Sequence, residues 1–221
     1  MRVFENRTEA GQLLARELED RLGPSGGKDV VVLGLPRGGV PVAFEVAGAL
    51  HAPLDVLVVR KLGVPTEPEL AMGAIGEHNA MVLDEGIVKR LRVSESEVRR
   101  VEAAERVVLE RRVAQLRAVR PPEPLAGRTA IVVDDGIATG STARLACRMV
   151  RGLGAARVVL AVPVAPADTL ETFAEADEVV CLATPRFFLA VGRYYRDFSA
   201  TKDDDVVGLL EAASRRRDQQ P

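Results

Sequence analysis

Membrane-spanning runs, metal-binding clusters and a surplus of one charge are absent from this sequence. No apolar run approaches the roughly 20 residues of a transmembrane helix, and the charged start Met1-Arg2-Val3-Phe4-Glu5 is unlike a signal peptide. Two distant cysteines, Cys147 and Cys181, give neither a disulfide framework nor a zinc motif. Thirty basic against 32 acidic residues lack the basic excess of a general nucleic-acid binder. We expect a cytoplasmic protein that holds any anion at a local site.

Short aliphatic runs alternate with helical stretches along most of the chain. The runs are apolar at successive positions, which is typical of strands buried on both faces of a parallel sheet. This pattern predicts an α/β fold, a doubly wound and mainly parallel sheet with helices on both faces. The predicted strands are 30–35, 54–59, 129–133, 158–164 and 178–182, and the predicted helices are 8–22, 40–50, 142–153 and 166–176. We expect one domain over residues 1–221.

An insertion over about 60–122 does not fit the repeating unit. Its Gly/Pro-rich beginning precedes a capping box, Ser94-Glu95-Ser96-Glu97, and a predicted helix over 94–120 that would be roughly 40 Å long. An apolar stripe on this helix needs a partner, either the sheet or another subunit. The stripe is formed by Val98, Val101, Val108, Leu109, Val113 and Leu116. The arginines of this predicted helix alternate with glutamates, which favours a solvated face over an RNA-binding one.

The stretch Ile131-Val132-Val133-Asp134-Asp135-Gly136-Ile137-Ala138-Thr139-Gly140-Ser141-Thr142-Ala143 carries the clearest chemistry. It predicts a buried strand that ends in two carboxylates, followed by a loop of small and hydroxylated residues and a helix. Backbone N–H groups of such a loop, with the helix N-terminus, can surround a phosphate. Carboxylates at the strand end suit ribose hydroxyls or hydrated Mg²⁺. An isolated Asp-Asp-Gly is more typical of a plain turn, but the whole pattern favours a sugar-phosphate site.

This segment resembles the phosphoribosyl pyrophosphate signature of type I phosphoribosyltransferases at nearly every position. The resemblance implies that Asp134 and Asp135 hold the ribose 2′- and 3′-hydroxyls. It also implies that the loop residues hold the 5′-phosphate; these are Gly136, Ile137, Ala138, Thr139, Gly140, Ser141 and Thr142. In enzymes that act on 6-oxopurines the position of Ala138 carries an aspartate, so the resemblance argues against a hypoxanthine-guanine activity.

Two further elements are similar to parts of the same family. The turn Gly34-Leu35-Pro36-Arg37-Gly38-Gly39 resembles the pyrophosphate-binding loop, in which Pro36, Gly38 and Gly39 would contact the ligand and Arg37 would contact its phosphates. It has neither the spacing nor the lysine of a nucleoside-triphosphate P-loop. Arg60-Lys61, expected to close the second core strand, resembles the Arg-Lys pair before a closing loop in adenine and orotate phosphoribosyltransferases. The alternative is a solvated basic pair.

The resemblance implies transfer of ribose 5-phosphate from phosphoribosyl pyrophosphate to a nitrogen acceptor, which we expect to be a nucleobase, with release of pyrophosphate. Arg37, Arg60 and Lys61 would receive the leaving group. Mg²⁺ would be held through substrate and water, with Asp134 and Asp135 contacting it through water and no direct protein cage. A homodimer is expected. Two alternatives stay open: a regulatory module that binds the same ligand without turnover, and a hydrolase of the same ligands.

A hood over the site is expected from about 185–205, with a contribution from the N-terminus. This segment contains five of the eight aromatic residues in the chain: Phe187, Phe188, Tyr194, Tyr195 and Phe198. Either they stack on a planar acceptor or they pack against the N-terminal helix. The run Asp203-Asp204-Asp205 predicts a solvated helix start. His51 and His78 show no metal spacing and no catalytic role is expected for them.

Overall fold

The computed structural model describes residues 3–23, 29–77, 79–118 and 121–218, so His78 lies outside the described residues. The helices are α1 (Arg7–Leu22), α2 (Gly39–Ala49), α3 (Glu85–Arg90), α4 (Glu95–Arg117), α5 (Ser141–Gly152), α6 (Ala167–Glu171) and α7 (Asp203–Asp218), with a 3₁₀ turn at Val191–Tyr194. The strands are β1 (Val30–Gly34), β2 (Leu54–Val56), β3 (Arg60–Val64), β4 (Glu67–Ile75), β5 (Met81–Leu83), β6 (Thr129–Val133), β7 (Arg157–Val164) and β8 (Glu178–Ala183).

The core is a five-stranded parallel sheet in the order β2-β1-β6-β7-β8. Alternate residues of β1 enter two separate clusters, because successive side chains of a strand point to opposite faces. Val30 and Val32 pack in a cluster that contains Leu14 of α1, whereas Val31 and Leu33 pack in one that contains Cys147 of α5. Helices therefore bury both faces of the sheet, and the prediction of a doubly wound α/β fold is confirmed.

The strand order reverses at β1, which lies between β2 and β6. From β1 the chain crosses through α2 to β2, and it later returns to pair β6 with the other edge of β1. Gly34 is in register with Val133, and the N–H of Leu35 donates to the Val133 carbonyl at 2.9 Å. The loops that follow these two strands thus leave the sheet side by side. Ligands of doubly wound sheets bind at such a reversal.

Most predicted boundaries agree with the structure to within one residue, and three differences are described here. The second core strand ends at Val56 rather than at residue 59, and the last crossover helix, α6, covers only Ala167–Glu171. The N-cap of α1 is Asn6, whose side chain accepts from the N–H of Glu9, so the helix begins before the hydroxyl of Thr8. Asn at this position satisfies one of the helix's free N–H groups as well as a hydroxyl residue does.

The insertion contains a three-stranded antiparallel sheet, β3-β4-β5, that was not predicted. The long helix α4 was predicted, and its capping box between Ser94 and Glu97 is formed. Buried Val98, Leu109 and Leu116 pack α4 onto β3 and β4, so the partner of the apolar stripe is the small sheet. Val108 is 45% exposed, and its assignment to the buried stripe was wrong.

The C-terminal end of α4 is fixed to the core sheet by Arg117. Its Nη1 donates to the buried Asp55 of β2 at 2.6 Å, and its Nε donates to Glu77 at 2.6 Å. The second carboxylate oxygen of Asp55 accepts from the N–H of Glu123 at 2.9 Å. Because all three charged groups have partners, their burial carries no penalty of an unpaired charge.

Among the described residues, no helix is apolar over a length that would cross a membrane.

Candidate active site

Two glycines bring the loop after β1 against the acidic pair after β6. A Cβ placed on Gly38 would lie 2.0 Å from Oδ2 of Asp135, and one on Gly39 would lie 2.5 Å from the carbonyl oxygen of Val133. Both distances are far shorter than a van der Waals contact, so a larger residue at either position would displace the loop or the acidic pair, and glycine permits the close approach. The close approach at these two glycines places the two predicted binding loops in direct contact. The peptide bond between Pro36 and Arg37 is cis.

The carboxylate of Asp135 is held from the N-terminal helix. Nε of Arg7 donates to its Oδ2 at 2.8 Å, and both side chains are largely buried. The hydroxyl of Tyr195 donates to the main-chain carbonyl of the same aspartate at 2.5 Å. Asp134 accepts a 2.9 Å hydrogen bond from the N–H of Asp135. Elements from both ends of the chain therefore position the acidic pair.

The two carboxyl groups differ in their electrostatics. Burial raises the pKa of Asp134 well above its ordinary value, and the charge of neighbouring Asp135 raises it further. Burial also raises the pKa of Asp135, but the Arg7 guanidinium opposes that rise. Burial, and then the negative charge of Asp135, raises the pKa of Tyr195, so its hydroxyl stays protonated and donates. Raised carboxyl pKa values in a cleft are a common property of functional sites.

The predicted phosphate loop runs from the acidic pair into α5. Gly136 and Gly140 have φ values of 150° and 74°, which a residue with a side chain rarely adopts. Gly140 is the N-cap of α5 and provides no side-chain acceptor, and the N–H of Ser141 donates to the hydroxyl of Thr139 at 3.5 Å. Thr139, Ser141 and Thr142 are exposed around this helix end. Ala138 is exposed with them, and its carbonyl accepts from Thr169 at 2.9 Å.

One predicted residue of the loop is unsuited to contact a ligand through its side chain. Ile137 is buried, and its N–H donates to the carbonyl of Val164 at 3.0 Å. Its apolar side chain packs beneath the loop in the cluster that contains α5. Ile137 therefore anchors the loop, whereas Ala138 and Thr139 after it are exposed.

Arg60 and Lys61 do not close the second core strand, and this expectation was wrong. They begin β3 of the small sheet, because β2 ends four residues earlier and the chain turns into the insertion. Nε of Arg60 donates to Glu105 of α4 at 2.8 Å. A cavity of about 650 Å³ is lined by Arg60, Lys61 and Thr142, so the structure still brings these cations to the phosphate loop.

Arg37, in the loop after β1, contacts the first residue of α7, a helix that the sequence did not place near the site. Its Nη1 is 3.9 Å from Oδ2 of Asp203, and the other oxygen of this carboxylate is 3.4 Å from Nη2 of Arg112. Asp203 is more than half exposed, as expected for a solvated helix start, but it also bridges two arginines. The arginines of α4 were expected to form a solvated face, and Arg112 is an exception to that expectation.

The hood aromatics divide into buried and exposed members. Tyr194 and Tyr195 are buried, and Tyr195 contacts Phe4 with ring centroids 5.4 Å apart. Phe188 stacks on Tyr194, while Phe198 lies under the guanidinium of Arg7 at 4.0 Å. This arrangement is the packing against the N-terminal segment that was one of the two expectations. Phe187 is 88% exposed and differs from the others.

Sequence reasoning missed Arg7, Arg112 and Asp203 as members of this site. Arg7 lies 128 positions from its partner, and no local pattern signals such a pairing. Arg112 is one of many arginines on α4, and Asp203 is one of three consecutive aspartates. Of the residues that hold the acidic pair, only Tyr195 was indicated by the sequence, because it belongs to the cluster of aromatic residues.

Three comparisons place these features among known proteins. The family model of the phosphoribosyl transferase domain matches residues 5–199. Two Mycobacterium tuberculosis proteins, named as provisional phosphoribosyl transferases, are 55% identical over 216 residues, which are 97% of this chain and 48% of theirs. The chain therefore spans about half the length of these curated relatives.

Solved structures agree on the fold. The protein TT1426 of Thermus thermophilus is 45% identical, with a TM-score of 0.85 over 96% of this chain and 99% of that one. A Neisseria gonorrhoeae protein solved with bound ppGpp is 15% identical, with a TM-score of 0.50 over 96% and 97% of the two chains, which shows the fold alone. From the match over most of its length and the acidic pair beside the glycine turn, this chain belongs to the phosphoribosyl transferase family.

Proposed function

We propose that the protein transfers ribose 5-phosphate from phosphoribosyl pyrophosphate to a nitrogen acceptor, a planar nucleobase, and releases pyrophosphate. The observation that carries the proposal is the contact between Gly38 and Asp135. It joins a loop suited to a diphosphate to a carboxylate suited to a ribose. A ligand with a phosphate at one end and a diphosphate at the other would span both loops.

Different residues of the site bind different parts of this ligand. Asp134 and Asp135 accept hydrogen bonds from the ribose hydroxyls, and the N–H groups at the start of α5 donate to the 5′-phosphate. Arg37, Arg60 and Lys61 lie on the side where the diphosphate leaves. The acceptor nitrogen forms a bond to C1 of the ribose and gives up its proton to water. The bond from C1 to the diphosphate oxygen breaks, and the diphosphate takes the electron pair. Positioning and charge stabilisation supply the catalysis.

A divalent cation fits the donor set of this site. Carboxylate oxygens are the ligands that Mg²⁺ prefers, and Mg²⁺ usually keeps several waters and binds substrate phosphates. In the described part of the chain no three His, Cys, Asp or Glu side chains group together as a metal cage. Asp134 and Asp135 would hold the ion through water. When bound, Mg²⁺ would neutralise charge on the leaving diphosphate.

The acceptor would lie under the hood. Tyr195 connects the hood to Asp135, and Tyr194 donates to the carbonyl of Phe187 at 3.0 Å. Since Tyr194 and Tyr195 are buried, neither ring is free to stack on a base. The exposed ring of Phe187, beside a cavity of about 420 Å³, is the hood aromatic that suits a planar acceptor.

Calorimetric titration of phosphoribosyl pyrophosphate with Mg²⁺ tests the site first. We expect saturable binding to the native protein and loss of that binding in the double variant Asp134→Asn, Asp135→Asn. Absence of binding to the native protein would contradict the proposal. Circular dichroism of the variant checks that its fold is intact.

Product analysis then separates transfer from the two alternatives. Pyrophosphate release that depends on an added base supports transfer. Release without any acceptor indicates a hydrolase, and binding without release over the same panel of bases indicates a regulatory module. Because the chain spans about half of its curated relatives, both the isolated chain and a full-length relative belong in this assay.

A further inference from the structure

Arg112 is a charged residue of the insertion that has no part in the proposed mechanism. It lies on α4 two turns after Glu105, so these two side chains share a face of the helix. Glu105 pairs with Arg60, and Arg112 pairs with Asp203. Among the buried side-chain nitrogen and oxygen atoms of the described residues, Nε of Arg112 lacks a hydrogen-bond partner. A guanidinium with an unused buried donor is suited to a further acceptor.

Three guanidinium groups converge at this place from separate elements. Arg37 follows β1, Arg60 begins β3 and Arg112 comes from α4. Burial lowers the pKa of Arg112, and the positive charges of Arg37 and Arg60 lower it further, although Asp203 opposes them. Like charges brought together in this way require anions between them. In the free protein that anion is the carboxylate of Asp203, one oxygen of which faces Arg37 while the other faces Arg112.

We propose that Arg112 and Arg37 form a binding subsite for a diphosphate group, and that Asp203 occupies this subsite as an internal counter-ion until the diphosphate replaces it. The ligand class rests on the proposed function, in which the phosphate loop before α5 already takes the single phosphate. Two arginines on opposite sides of one carboxylate suit a group with several anionic oxygens.

The contacts of Asp203 are suited to exchange. Its distances of 3.4 and 3.9 Å are longer than those of strong charge-assisted hydrogen bonds. Its side chain is 58% exposed and that of Arg37 is 50% exposed, so water screens the attraction. Asp203 therefore pairs only weakly with the two arginines, and a diphosphate with more charge and more acceptors displaces it.

The test is titration of inorganic pyrophosphate into the native protein and four variants, with inorganic phosphate for comparison. Arg112→Gln should weaken pyrophosphate binding by roughly 10- to 100-fold, while its exposed neighbour Arg111→Gln should leave the affinity unchanged. Asp203→Asn should tighten binding by roughly 2- to 5-fold, because a competing anion is removed. Its matched control, Asp204→Asn, changes the net charge equally and should leave the affinity unchanged.

Opposite effects of the Arg112 and Asp203 variants support the subsite. Equal affinities of Arg112→Gln and Arg111→Gln, or a failure of Asp203→Asn to exceed Asp204→Asn, would overturn it, as would absence of pyrophosphate binding to the native protein. If Arg112→Gln fails to fold, the comparison of Asp203→Asn with Asp204→Asn still tests the subsite, because Asp203 is exposed. Binding of pyrophosphate without binding of phosphoribosyl pyrophosphate would sink the proposed function and leave this subsite standing.

Discussion

Arg7 donates a 2.8 Å hydrogen bond to Asp135 across 128 positions of sequence. The first turn of α1 thereby sets the position of a carboxylate at the end of β6. The same guanidinium covers the ring of Phe198 and donates to the carbonyl of Ser199 at 2.8 Å. Arg7 thus joins the acidic pair to the hood, and the geometry of both depends on one side chain.

Replacing Arg7 by alanine should lower the free energy of unfolding by about 1–3 kcal/mol, because a largely buried carboxylate loses its charged partner. Urea unfolding measures this change. Arg196→Ala is the matched control, since the pair of Arg196 with Glu5 is 70% and 55% exposed and should contribute less than about 1 kcal/mol. Equal losses in the two variants would contradict the assigned role of Arg7.

Gly38→Ala should weaken ligand binding strongly while the fold persists. Gly38 has φ −63° and ψ −33°, which alanine adopts readily, so the effect comes from the new methyl group against Asp135. We expect affinity for phosphoribosyl pyrophosphate to fall by roughly 100-fold. The same substitution at Gly208 of α7 meets no atom within 4 Å. It should stabilise the protein by about 0.5–1 kcal/mol and leave binding unchanged. Native-like affinity of Gly38→Ala would refute the close-contact argument.

The raised pKa of Asp134 gives a signed dependence on pH. A carboxyl group whose pKa is higher in the folded than in the unfolded protein binds more protons when folded, so stability falls as pH rises from the unfolded pKa to the folded one. Asp134→Asn should therefore raise the free energy of unfolding at pH 7 and flatten this decline. Thermal unfolding from pH 4 to pH 8 measures both effects. A variant less stable than the native protein at pH 7 would contradict the assigned shift.

Phe187→Ala should leave stability unchanged because the ring is 88% exposed. If the ring stacks on the acceptor base, the KM for that base should rise by roughly 5-fold or more, as expected for loss of one stacking contact. Leu189→Ala is the matched control, since Leu189 is 76% exposed in the same loop. Steady-state kinetics with a saturating sugar donor measures the difference. Identical KM values in both variants would remove Phe187 from the acceptor site.

The core sheet was predictable because its physical signal is local. Runs such as 30–34 and 158–164 are apolar at every position, and only burial on both faces accommodates them. The acidic pair and the glycine turn were found for a related reason. Each follows directly after such a run, and the ends of neighbouring parallel strands meet at one edge.

The insertion was only partly predictable. The capping box and apolar stripe identified α4, but β3 and β4 contain glycine, proline and charged residues, and their pairing is irregular at Gly63. Such strands carry little alternation and acquire their structure from pairing. The ion pairs of Arg7 and Arg112 connect residues distant in sequence, so no spacing rule finds them.

The anchor at Arg117 ties the C-terminal end of the long helix α4 to Asp55 and Glu77. At 1.5 Å per residue, Arg112 is about 7.5 Å from this anchor and Arg100 is about 25 Å from it. Arg100 lines the cavity of about 650 Å³ together with Arg60 and Pro68. A tilt of α4 about the anchor would therefore change the width of this cavity at Arg100 more than it would move Arg112.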